Sequence, residues 1–169
     1  MLALFAAALA ASTPAPLLET ATPWWEKITV TVDNQGKQQS CRYETSFPET
    51  AAAECDQAMA ASLQTSGKDP LGTYSKVTYE RRFSPGGRVD SGRLHPGDEL
   101  IGRQVMFLTF GEDGAISSCK VVAASGDVPP DYGCEQARKE QFKGQAGGES
   151  GSRQAFMTIM AYGHTEEIA

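Results

Sequence analysis

Histidine is almost missing from this chain: His95 and His164 are the only two among 169 residues. Neither has a companion at metal-ligand spacing, and no C-x2-C pair occurs, which argues against a structural zinc site. There is no H-E-x-x-H, no G-x-S-x-G and no phosphate-binding Gly-rich loop leading into a helix. The chain therefore offers no catalytic residues, no metal ligands and no cofactor site, and an enzyme is the weakest of the functional classes. Basic clusters are equally scarce. Residues 19–88 hold eight basic and nine acidic residues, and residues 89–169 hold seven and twelve. Neither half has the basic stripe that nucleic acid or an anionic membrane needs.

Long apolar runs are also absent, apart from "LALFAAALAA" near the start. Ten residues are too few to cross a bilayer, and the small residues of "STPAP" follow. Residues 1–18 thus read as a signal-peptide-like segment, and the expected location is periplasmic. Export gives the four cysteines a role, since small exported domains use disulfides to reinforce cores of limited size.

What is present is a frame used twice. "NQGKQQSCRYETS" and "EDGAISSCKVVAASG" each place a cysteine five residues after a glycine: Gly36 and Cys41, then Gly114 and Cys119. A further cysteine follows after 14 residues in the first copy, Cys55, and after 15 in the second, Cys134. Three pairings of four cysteines exist, and the repeat selects Cys41–Cys55 and Cys119–Cys134, one bridge per copy. Aligned at the glycines, the copies are offset by 78 residues, and Ile28, Val30 and Val32 match Met106, Leu108 and Phe110. These alternate as a half-buried strand does.

Each copy then continues alike. "DNQGK" and "GEDGA" suit a hairpin turn with glycine in the left-handed conformation. Helices are expected from Ser46, with a Ser46-x-x-Glu49 capping box, and from Asp127, with prolines in its first turn. Leu63 and Phe142, eight residues beyond the helical cysteines, share their face. "YSKVTYERRF" and "RQAFMTIMAY" close the copies as last strands. The expected fold class is α+β. It comprises two strand–strand–helix–strand modules at 24–83 and 99–163, each a small antiparallel sheet with one packed helix. The Gly/Pro-rich stretch 84–98 is the expected linker. Trp24-Trp25 in a strand sends one ring inward and the other out.

The second copy, "VMFLTFGEDGAISSCKVVAASGDVPPDYGCEQARKEQF", resembles the C-terminal domain of TonB-type energy transducers. Asp98–Gly102 matches the amphipathic lead-in, Asp113-Gly114 the turn and Ala124-Ser125-Gly126 the corner. Asp131 matches the helix start and Phe142 the late aromatic. Cys119 and Cys134 fit a cysteine-bearing variant of that family. Lys143-Gly144 depart from it, standing where the family has Pro-Ala. The resemblance covers about 98–162, and the first copy joins it only through its parallel with the second.

That resemblance implies a protein-binding module, associated with TonB-dependent transport, that recognises an extended peptide such as an outer-membrane receptor segment by edge-strand pairing. The transmembrane helix and long Pro-rich spacer of a working transducer do not occur within these residues, so energy transduction is not carried over. The expected edge is the last strand, Phe156, Met157, Thr158, Ile159 and Met160, which is apolar on both faces and has no proline or charge. The same strand could instead be covered by the other copy of the repeat, or pair with a second chain as a homodimer. The rival reading is an accessory exported protein whose two modules simply pack together.

Overall fold

The computed structural model describes residues 17–35, 38–46, 74–143 and 153–165. In chain order the elements are β1 (Trp24–Val32), β2 (Gln38–Thr45), β3 (Lys76–Pro85), β4 (Asp98–Phe110), β5 (Ile116–Gly126), α1 (Cys134–Lys139) and β6 (Gln154–His164). All six strands belong to one antiparallel sheet with the order β2-β1-β3-β6-β4-β5. Two separate modules, each with its own small sheet, are therefore not what forms. The last strands of the two copies pair with each other over ten residue positions, from Lys76↔His164 to Pro85↔Ala155. Fusing there buries two edges that separate sheets would leave open.

The offset of 78 reappears in the strand register. Ile28 faces Tyr43 and Tyr79, and Val30 faces Cys41 and Val77. Adding 78 to every number gives Met106 with Val121 and Met157, and Leu108 with Cys119 and Ala155, which are observed pairs. The repeat is thus real at the level of register, within a single sheet.

The helical content is smaller than the sequence predicts. In the second copy the helix begins at Cys134 rather than near Asp127 and has only six residues. Pro129, Pro130 and Gly133 precede it, and Gly133 is extended at the N-cap, with its N–H donating to Gln136 Oε1 at 3.0 Å. The first-copy helix expected over 46–64 lies, beyond Ser46, outside the described residues, as do Gly36, Cys55 and Leu63. The second turn does form as expected: Gly114 has φ of 81°, and the Ala115 N–H donates to Asp113 Oδ1.

Side chains alternate between two faces of the sheet. One face carries α1 and the main core, in which Trp24, Phe83, Met106, Leu108, Met157 and Ile159 are buried. Trp24 stacks on Phe83 at 5.3 Å between centroids, and Phe142 lies against both Phe83 and Phe110. Trp25 points to the other face, beside Lys27. The chain before β1 is built into the helix-bearing face. Leu18 bridges Phe142, its N–H donating to the Gln141 carbonyl and its carbonyl accepting from the Lys143 N–H. Leu18 is thus tied to the segment that follows α1.

The other face is covered by residues 86–97. The sequence reads them as a linker, but they join the end of β3 to the start of β4, which run parallel on either side of β6. To do so they cross the sheet as a strap. Asp90 pairs with Arg82 at 2.9 Å, and Gly97 lies against the His164 ring. Gly92, at φ of 69°, sits so close to the sheet that a Cβ there would lie 2.9 Å from the Met160 methyl. Covering about 30 Å of β6 with twelve residues requires a largely extended chain. Glycines and prolines suit that path as well as they suit a linker.

Candidate functional site

Phe156–Met160 does not form an edge. β6 is bonded on both sides, and Thr158 faces Arg82 of β3 and Val105 of β4. Thr158 is 2% exposed and Met160 1%. Apolar residues on both faces mark a strand covered twice, here by the core on one side and the strap on the other. No peptide or second chain can pair with it while the sheet is intact.

The cysteines behave differently. Cys119 of β5 and Cys134 at the start of α1 form a disulfide across 15 residues, with Cα atoms 5.7 Å apart. Cys41 is also disulfide-bonded, and Cys55, its expected partner, lies outside the described residues.

The free edges of the sheet are β2 and β5, and they are not alike. β2 reads QQSCRYET and carries Arg42 and Glu44 as an exposed ion pair at 3.1 Å. Charge of this kind blunts an edge against foreign strands. β5 reads ISSCKVVAASG, with Lys120 as its single charge and no proline. Val121 and Val122 are 42% and 48% exposed. A bulge at Val122, between the pairs Met106↔Val121 and Val105↔Ala123, bends the strand and leaves Ala123–Gly126 as a regular stretch beyond it. Beside this stretch runs a groove of about 340 Å³ on the strap face, lined by Val89, Ser91, Arg103, Val105 and residues 122–125.

A second concavity, about 220 Å³, lies on the helix face around Arg81. The Arg81 Nε donates to Glu26 Oε1 at 2.6 Å, and its Nη1 donates to Glu140 Oε1 at 2.5 Å and to the Tyr132 hydroxyl at 3.1 Å. The guanidinium also lies 5.1 Å from the centroids of Trp24 and Tyr132. Burial by itself would lower its pKa, but the two carboxylates outweigh that and raise it. Burial, with Glu26 adding to it, pushes the Tyr43 hydroxyl up to about 12. Burial raises Tyr79 to about 12 as well, and its oxygen accepts the Asp131 N–H at 3.0 Å. Glu26 and Glu140 are both engaged by one permanent cation. The cluster fastens the segment around α1 to β3.

Among the described residues, no group of three or more His, Cys, Asp or Glu side chains has the geometry to hold a metal ion. Sequence reasoning missed the β5 edge and Arg103. A signal for the edge existed in the six uncharged residues after Lys120, but the same run matched the interior of a hairpin equally well. The chain matches no protein-family model, no characterised protein and no solved structure.

Proposed function

We propose that this protein is an exported, periplasmic protein-binding module that takes up an extended peptide as a seventh strand along β5. The observation that carries the reading is the contrast between the two sheet edges: β2 is guarded by charge, and β5 is long, almost uncharged and apolar at Val121 and Val122. Main-chain bonds to such an edge supply affinity, and side-chain grooves supply selectivity. The disulfide fixes β5 to α1, so the edge is presented as a rigid template. The motif resemblance to TonB-type C-terminal domains over 98–162 supports the same kind of recognition, and with it a segment of an outer-membrane receptor as the class of partner.

Panning the oxidised protein against a displayed library of random octapeptides tests this directly. Selected peptides should slow amide hydrogen exchange in β5 and leave β2 unaffected. Capture of peptides that protect only β2 or the helix face, or capture of none, would refute β5 as the binding edge. Sedimentation of the free protein belongs to the same experiment, because a β5-to-β5 dimer would occupy the edge with a second copy.

A further inference from the structure

Arg103 differs from the other arginines in the middle of the sheet. Arg81 is held by Glu26 and Glu140, and Arg82 by Glu80 and Asp90. Arg103 has no carboxylate within ion-pair distance among the described residues. Its Nη2 reaches only the Met160 thioether, at 3.4 Å, and its Nε is buried without an acceptor. A guanidinium remains charged at any physiological pH, and an unpaired buried donor on it costs free energy. This residue lines the groove beside Ala123–Ser125, where, among the described residues, Ser91 and Ser125 supply the other polar side chains. The edge itself is positive: Lys120 is the one charged residue of β5, and no Asp or Glu lies between Ile116 and Gly126. The chain as a whole carries a net charge of −6, so this is a local reversal of sign.

We infer that the groove receives a carboxylate of the bound peptide, paired with Arg103; this rests on the β5 reading above. Strands stand about 4.8 Å apart, so a strand added to β5 lies roughly 10 Å from β4. An arginine and an acidic side chain reaching towards each other span that distance. The pair would be flanked by Val89, Val105 and Val122, and a carboxylate matches the guanidinium fork in a way that a neutral amide does not. The carboxylate belongs to an Asp or Glu side chain or to the peptide's C-terminus.

The test compares a selected peptide with versions in which its acidic residue is replaced by the amide, or its C-terminus is amidated. One of these changes should weaken binding to the wild-type protein by about tenfold. Arg103→Gln should abolish that preference while still binding the neutral peptide, and Arg103→Lys should restore part of it. Loss on side-chain replacement identifies an internal acid, and loss on C-terminal amidation identifies a terminal carboxylate. Equal binding of acidic and neutral peptides to wild-type protein would overturn the carboxylate assignment and leave edge pairing standing. Failure to capture any peptide would overturn both.

Discussion

Arg81 of β3 and Glu140, the residue that ends α1, meet at 2.5 Å although 59 residues separate them in the chain. The contact joins the first copy of the repeat to the second. Glu26 holds the opposite side of the guanidinium, and the three side chains are 14%, 28% and 18% exposed. Removing the cation would leave two carboxylates facing each other with little water.

Arg81→Met should therefore destabilise the fold by about 3 kcal/mol, the cost of leaving buried partners unpaired. Arg81→Met combined with Glu26→Gln and Glu140→Gln should recover most of the loss. Urea denaturation of both variants checks this. A loss below about 1 kcal/mol in the single variant would class the cluster with solvent-screened surface pairs.

The Cys119–Cys134 bridge ties an edge strand to a six-residue helix that has few other contacts with it. Closing a loop of 15 residues stabilises by about 3 kcal/mol in the chain-entropy model. Replacing both cysteines with serine should lower the denaturation midpoint accordingly and accelerate hydrogen exchange first in β5. A midpoint unchanged from wild type would mean that the core alone holds α1.

Part of this fold was legible in the sequence. The glycine and cysteine spacings gave the offset of 78, and Val30–Cys41 and Leu108–Cys119 confirm it as strand register. Whether the two copies form two sheets or one depends on the pairing of β3 with β6, and no local pattern encodes that choice. Phe156–Met160 is apolar on both faces because it is a central strand covered twice. Of the expected covers, the first copy is the one that forms, and an open edge for a peptide or second chain is not. Arg81 and Arg82 look like adjacent surface charges, yet they point to opposite faces and find partners up to 59 residues away. The strap was illegible because its composition fits an extended crossing and a free linker alike.

The buried hydroxyls give the fold an alkaline limit. Tyr43 and Tyr79 are raised from 10.0 to about 12, and Tyr132 and Tyr162 are raised too, all chiefly by burial. A group with a raised folded pKa contributes stability that is complete below its unfolded value and is lost as pH climbs through the folded one. Stability should thus hold up to about pH 10 and fall between pH 10 and about 12. Denaturant midpoints measured across that range, alongside tyrosinate absorbance, test the point. Tyrosines that all ionise near pH 10 with the midpoint unchanged would show them open to solvent.

Thr158 sits at the centre of the sheet with its hydroxyl oxygen buried and without a hydrogen-bond partner. Its backbone is committed to both neighbouring strands, so Thr158→Pro removes a ladder donor from a central strand and should prevent folding. Thr158→Val has the opposite sign. It keeps the branched shape that suits a strand, replaces an unsatisfied hydroxyl by a methyl group, and leaves every main-chain bond in place. Val105 on β4 and the strap-side Met160 offer the methyl apolar contact, and Arg82, the neighbour on β3, keeps its own partners Glu80 and Asp90. Thr158→Val should raise stability by about 1 kcal/mol, the cost of leaving a buried polar group unpaired. Urea denaturation of the two variants beside wild type gives both signs in one series. A valine variant less stable than wild type would mean that the hydroxyl is satisfied in solution, and a folded proline variant would mean that β6 is not bonded on both sides at Thr158.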